Sequence, residues 1–215
     1  MIKFKTVSLA DRVFEKLEDD IISGVYPRGE YLTEQGLAEE LGISRTPIRE
    51  ALRRLEHESL IEETGKGSLV LGITKEDISD IFNIRYEMEG LAAAYAAQNR
   101  TEEEVRELQR SIELQEFYSQ KENKESVTAM DSEFHELILR ISHHKLLSDT
   151  LAPLLRKSAQ YRKVSIYETP ASVVVAEHRK IADAIIAGDP EAAIDAEKEH
   201  IRHAVKRVLG EETKK

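Results

Sequence analysis

Cysteine is absent from the chain, which excludes thiolate zinc sites, thiol nucleophiles, disulfide staples and redox switches, so any metal site must use histidine and carboxylates. A chain without cysteine suits a reducing cytosol, and the cytoplasm is the expected compartment. Long apolar runs are missing too. The longest near-apolar stretch, residues 91–97, is far too short to span a bilayer, and the first ten residues carry two lysines but no apolar segment of signal-peptide length. No membrane association is therefore expected. Nor is there a basic surplus: with 31 basic against 41 acidic residues the net charge is −10, so general attraction to nucleic acid or anionic lipid is not predicted. Contact with DNA would have to rest on a local basic patch. G-x-S-x-G, H-E-x-x-H, the P-loop and the dinucleotide fingerprint are all lacking, as are internal repeats and low-complexity segments.

What is present is helical in period almost throughout. From Ser8, the residues Ala10, Val13, Leu17 and Ile21 step along one face, Ser8 and Asp11 are placed as a capping box, and Gly24 stops the run. Pro27 and Gly29 make a turn. Thr33 then opens a short helix ending at Gly42, and Ser44 opens another that reaches about Glu58. Two short helices joined at a glycine make a helix-turn-helix. The helical period lapses after Leu60, and residues 60–63 and 68–71 read as two strands around Thr64, Gly65, Lys66 and Gly67, a hairpin wing. Six helices are expected beyond Thr74, near residues 75–98, 102–121, 125–142, 145–166, 171–187 and 190–209. The fold class is thus mainly α: a winged helix-turn-helix of three helices plus a β-hairpin over residues 1–73, then an all-α six-helix bundle over residues 74–215. The last residues, 211–215, are expected to fray.

Along LAEELGISRTPIREALRRL, residues 37–55, Leu37, Leu41, Ile43, Ile48, Leu52 and Leu55 can share one core while Arg45, Arg49 and Arg53 recur every fourth residue. Residues 45–54 hold four arginines and one glutamate, inside a region (1–73) with 10 basic against 14 acidic residues. Positive charge is therefore concentrated on one helix. Arginine there can donate two hydrogen bonds to O6 and N7 of guanine, while Ser44 and Thr46 can hold a phosphate beside the free N–H groups of the first turn. Lys66 at the wing tip can reach a phosphate or the minor groove, with Gly65 and Gly67 supplying the reversal. A helical hairpin with a merely solvated arginine face would share the arginine run but not the wing and the caps. The segments TEQGLAEELGISRTPIREALRRLEHESLIE and TGKGSLV resemble the DNA-binding domain of GntR-type regulators over about residues 8–72. The resemblance implies DNA contacts from Arg45, Thr46 and Arg49 and a wing at Gly65 to Gly67. Gln35 stands where some relatives carry arginine, so a further contact there is not implied.

In the helix near 125–142 the stripe Val127, Met130, Phe134, Leu137, Ile138 and Ile141 is expected to be buried, with Asp131 and His135 four apart on its flank. His178 falls between Val174, Ile181 and Ile185 on an apolar face, and His200 borders the stripe of the last helix, whereas His203 lies farther out. Taken singly, each of these histidines is more often a satisfied core or surface residue than a ligand. Together, three imidazole nitrogens and one carboxylate suit a divalent zinc, nickel, manganese or iron ion with positions left open. The pattern Asp131-x-x-x-His135, His178, His200 resembles the FCD domain of the FadR branch of GntR regulators, and six helices resemble its shorter subgroup. The resemblance implies a bound metal.

Arg85 and Glu89 lie on the inward face defined by Ile81, Phe82, Met88 and Ala92. They read either as an internal ion pair or, as the family resemblance implies, with Arg85 clamping the carboxylate of an organic-acid effector near the metal. Glu197 also falls inward, where family members commonly carry an apolar residue, and could add an acidic wall to the effector pocket. The expectation is a non-enzymatic homodimeric transcriptional regulator, a repressor by the commoner habit of the family, that binds a short palindromic operator under control of a small organic acid. The alternatives are a helical metalloenzyme acting on small acids, with Glu197 or Glu89 as base, and a pure metal sensor, against which an inward Arg85 would speak.

Overall fold

The computed structural model describes residues 8–210. Residues 1–7, read above for a leader, and residues 211–215, expected to fray, lie outside the described residues. The chain divides into two compact units, Met1–Thr74 and Lys75–Lys215. No helix among the described residues is long and apolar enough to cross a membrane.

The first unit contains α1 (Leu9–Ile22), β1 (Tyr31–Leu32), α2 (Glu34–Leu41), α3 (Arg45–His57), β2 (Ile61–Thr64) and β3 (Gly67–Val70). Ser8 and Asp11 form the capping box that starts α1, with Asp11 N donating to Ser8 Oγ at 3.0 Å and Ser8 N to Asp11 Oδ2 at 3.0 Å. Thr33 caps α2 by accepting from Gly36 N at 3.0 Å, and Gly42 ends it in the left-handed region, turning the chain into α3. The 3-and-4 spacing read from the sequence buries Val13 and Leu17, joined by Phe14, against Ile48, Leu52 and Leu55, five of the six at 5% exposure or less and Leu52 at 6%. Each such side chain contributes about 1.5–3 kcal/mol of transfer free energy. Arg54 lies 3.9 Å from the centre of the Phe14 ring and donates to Asp11 at 2.7 Å, so this arginine ties α3 to α1.

The sheet has three strands in the order β1-β3-β2, all antiparallel. The sequence reading named only the β2–β3 hairpin. A two-residue strand has no periodicity to detect, and β1 exists because Tyr31 and Leu32 pair with Leu69 and Ser68. Of the two wing glycines only Gly67 needs its lack of a side chain: its φ is +124°, and a Cβ there would lie 2.8 Å from the Leu32 carbonyl oxygen.

The second unit comprises α4 (Lys75–Asn99), α5 (Glu102–Gln120), α6 (Lys124–Ile141), α7 (Lys145–Tyr167), α8 (Ala171–Ala187) and α9 (Pro190–Leu209). The central helix α4 packs on α6, α7, α8 and α9, and its small residues Ala92, Ala93, Ala96 and Ala97 let those neighbours approach closely. Leu108, Ile112, Phe134, Ile138, Ile181 and Ile185 complete the main core. A polar cluster belonging to α4, α6, α8 and α9 is buried in the same unit.

Candidate nucleic-acid interface and metal centre

Helix α3 presents its polar side to solvent: Ser44, Arg45, Thr46, Arg49 and Arg53 are all exposed while Ile48, Ala51, Leu52 and Leu55 are buried. Ser44 occupies the N-cap with extended backbone but makes no side-chain capping bond, so its hydroxyl and the first-turn N–H groups are available to an anion. Gly65 and Lys66 are exposed at the wing tip, where Lys66 N donates to Thr64 Oγ1 at 3.2 Å and Thr64 Oγ1 donates to Gly67 O at 2.6 Å. Between α3 and the wing runs a cleft lined by Thr33, Glu34, Arg49, Arg53, Glu63 and Gly67. Across it Arg49 donates through Nε and Nη2 to the two carboxylate oxygens of Glu34, at 2.6 and 2.7 Å. That hydrogen bonding lowers the Glu34 carboxyl and raises Arg49, with Arg45 and Arg53 adding to the positive field. Gln35 is exposed and spends its amide on Glu39 at 3.0 Å.

The second unit brings together Asp131 and His135 of α6, His178 of α8 and His200 of α9, each at 3% exposure or less. One ligand atom from each lies within 4.8 Å of the others. The imidazole centres stand 4.8–5.3 Å apart, and Asp131 Oδ1 is 3.5 Å from His178 Nε2 and 4.0 Å from His135 Nε2. Every one of the three histidines has an acceptor for its outer nitrogen: His135 Nδ1 meets Glu89 Oε2 at 3.2 Å, His178 Nδ1 meets Gln115 Oε1 at 2.7 Å, and His200 Nδ1 meets Glu177 Oε2 at 2.8 Å. An Nδ1–H donated to each acceptor leaves the lone pair on Nε2. The Nε2 atoms of His135 and His178 are buried and have no hydrogen-bond partner. Two orphaned lone pairs beside an imidazole and a carboxylate are what a cation would satisfy, so these residues fit a divalent metal ion. Burial lowers His135, and lowers His178 well below the ordinary range, keeping both rings in the neutral, ligating form. Burial alone would raise Asp131, but Arg162 and the neighbouring histidines outweigh it and bring the carboxyl to about 2.

Three residues of this centre escaped the sequence reading. Arg162 of α7, 4% exposed, donates to Asp131 Oδ2 at 2.9 Å, to Ser132 Oγ at 2.9 Å and to the Leu155 carbonyl at 3.0 Å, so Oδ1 is left to face the histidines. Gln115 of α5 is fully buried. Glu177 of α8 accepts not only from His200 but from His203 at 2.9 Å and from Arg207 at 2.9 and 3.0 Å, and His200 and Arg207 pull its carboxyl down against the effect of burial.

Arg85 and Glu89 do point inward, and they point at each other. Arg85, with no exposed surface, donates to Glu89 at 2.5 and 3.4 Å and to Ser158 Oγ at 3.3 Å. Glu197 is 1% exposed, its two oxygens have no hydrogen-bond partner, and one lies 3.6 Å from His135 Nδ1. Burial and the adjacent Glu89 push the Glu197 carboxyl well above the carboxylate range, whereas Arg85 and His135 hold Glu89 below it despite its burial.

Set beside known proteins, residues 9–70 match the family described as bacterial regulatory proteins, gntR family, and residues 80–203 match the FCD domain. The chain is 29% identical over 195 residues to the HTH-type transcriptional regulator YdhC of Bacillus subtilis (strain 168), covering 88% of this chain and 86% of that one. It is 28% identical over 195 residues to a probable D-xylose utilization operon transcriptional repressor of Paenarthrobacter nicotinovorans, covering 90% and 86%. Among solved structures it resembles McbR/YncC of E. coli with a TM-score of 0.78 at 24% identity, over 95% of this chain and 99% of that one.

Proposed function

Because the chain belongs to the GntR family of bacterial regulatory proteins and is a transcriptional regulator with an FCD domain, we propose that it is a repressor whose operator affinity is set in its helical unit by a divalent metal ion and a small carboxylate effector. Repression is also the role named for the D-xylose relative. Two copies would place two α3 helices on a short palindrome, with Arg45, Arg49 and Arg53 at base edges and Ser44, Thr46 and Lys66 at phosphates. No catalytic role is assigned to the chain.

The observation that carries the metal reading is the pair of buried, unpartnered Nε2 atoms on His135 and His178, aimed at one place with Asp131 and His200 beside them. Asp131, His135, His178 and His200 would hold the ion, with Glu89, Gln115 and Glu177 orienting the rings. A bound divalent ion supplies an electropositive centre with a position open to a carboxylate oxygen. Glu197 supports an effector that carries a hydroxyl or another polar group beside its acid, since neither of its buried oxygens has a hydrogen-bond partner. For Arg85 to take an effector carboxylate it must exchange it for Glu89. Metal analysis of the purified protein and its melting temperature before and after chelation test the centre. Metal should raise the melting temperature of the native chain and not of His178→Ala, and a chain that neither carries nor responds to any of the four metals refutes the reading.

One observation favours a second reading, in which the ion itself is the signal. Arg85 was the objection to it, and Glu89 cancels that charge. Titrating metal and organic acids separately into an operator-binding assay separates the two.

A further inference from the structure

An arginine side chain has two edges that can each donate a parallel pair of hydrogen bonds: the Nε/Nη2 edge and the Nη1/Nη2 edge. In Arg49 the first is taken. Glu34 accepts from Nε at 2.6 Å and from Nη2 at 2.7 Å, one oxygen to each nitrogen. The second edge keeps both Nη1 hydrogens and the remaining Nη2 hydrogen, enough for the O6 and N7 of a guanine. The pair is not part of the core, since the side chains are 53% and 33% exposed, and an ion pair this open adds little to stability. It is nonetheless well anchored. Glu34 is the first residue of α2, Thr33 before it caps that helix, and Leu32 before that is paired into the sheet opposite Ser68. A carboxylate on the first turn of α2 is also favoured by the helix dipole. The flexible member is Arg49, which has lost its freedom to swing.

We propose that Glu34 is a positioning residue for base recognition: by holding the inner edge of Arg49 it presents the outer edge to one guanine, and so adds sequence discrimination at that base pair. The inference rests on the reading of α3 as the helix that enters the groove. It carries a signature that a purely structural ion pair lacks, because a carboxylate beside the phosphates opposes binding to any duplex. Glu34 therefore weakens indiscriminate affinity while sharpening selectivity, and removing its charge should move the two in opposite directions. Arg45 and Arg53, exposed on the same face, supply the general attraction that makes this tolerable.

The test uses the full-length protein and a duplex selected from a random pool, with anisotropy measured at one fixed salt concentration for the native chain, Glu34→Gln, Arg49→Ala and the double variant. The base pair read by Arg49 is the one at which Arg49→Ala loses discrimination. At that pair Glu34→Gln should lose about tenfold of the preference for guanine. It should bind an unrelated duplex as well as or more tightly than the native chain does, and the double variant should match Arg49→Ala in its lack of discrimination at that pair. Retained affinity for the unrelated duplex and an unchanged melting curve show that Glu34→Gln is folded. If Arg49→Ala loses discrimination but Glu34→Gln keeps it, Glu34 positions nothing. If Glu34→Gln binds its selected duplex more tightly with preference intact, Glu34 is a competitor that DNA displaces, which also overturns the proposal. If Arg49→Ala changes no base preference, the reading of α3 itself fails and takes this inference with it.

Discussion

Replacing Arg162 with methionine should destabilise the metal-free protein far more than the metal-loaded one. Asp131 is 2% exposed, and among the described residues Arg162, with Nε at 2.9 Å, is the only arginine or lysine paired with it. Removing one partner of such a buried pair costs about 3–5 kcal/mol because the other charge stays buried and uncompensated. At roughly 2–4 °C per kcal/mol that is a fall of about 6–20 °C in Tm for the chelated variant. A divalent cation held by Asp131 Oδ1 and the three Nε2 atoms would restore the missing positive charge, and would no longer be repelled by the guanidinium. Metal should therefore raise the Tm of Arg162→Met by more than it raises that of the native chain, closing most of the gap. The pH dependence has a fixed sign in the chelated native protein. The folded carboxyl sits at about 2, below its ordinary 3.8, so its stabilisation is complete above pH 3.8 and is lost as pH falls toward 2. Differential scanning fluorimetry with chelator and with saturating manganese or zinc measures all of this. An equal drop with and without metal would show that the ion does not share Asp131, and the proposed ligand set would be wrong.

Arg49→Ala should lose about 1–3 kcal/mol of specific operator binding with Tm unchanged, since the side chain is exposed; an unaltered gel shift would exclude α3 as the reader. Gln115→Leu should weaken metal binding about 10- to 100-fold by freeing the His178 ring, and equal affinity by calorimetry would show that the amide does not orient it. Glu197→Met replaces a buried acid that lacks partners with an apolar side chain of similar length, so Tm should stay level or rise. If the same variant binds organic acids as the native chain does, Glu197 forms no part of an effector pocket.

The helices were legible because each long element shows its core face at a spacing of three and four, and the caps at Ser8, Thr33 and Gly42 mark where the period begins or ends. Asp131, His135, His178 and His200 were legible for the same reason, as polar residues placed on or beside those faces. What could not be read was which acceptor each ring would meet. That His178 of α8 faces Gln115 of α5 depends on helix packing, not on local pattern. A signal for Gln115 did exist: it continues the step of Leu108 and Ile112, an amide where an apolar residue belongs. Arg162 was masked by RKSAQYRK, which reads as a solvated charged face, although Leu151, Leu155, Ser158 and Arg162 continue one buried stripe. Met130 shows the converse, since the stripe counted it as core while it lies half-buried at the edge, lining a surface groove with Leu114 and Arg140.

The two units treat charge in opposite ways, and the difference bears on what each can sense. The winged-helix core is closed by Leu17, Ile48, Leu55 and Leu60 at 1% exposure or less, with its arginines at the surface, so its fold does not need a ligand. The helical unit instead buries Arg85, Glu89, Asp131 and Arg162 together with three imidazoles, two of which, His135 and His178, have an unpartnered ring nitrogen. Desolvating those groups is unfavourable, and orphaned lone pairs recover nothing from one another. Such a centre leaves the empty state higher in free energy than an apolar core of the same volume would. A ligand that supplies the missing positive charge is then coupled to the packing of α6, α8 and α9, because those helices carry the atoms that must converge on it. That coupling, and not the affinity of the ion alone, is the physical requirement for a conformational signal, since a ligand can shift an equilibrium only by its difference in affinity for the two states.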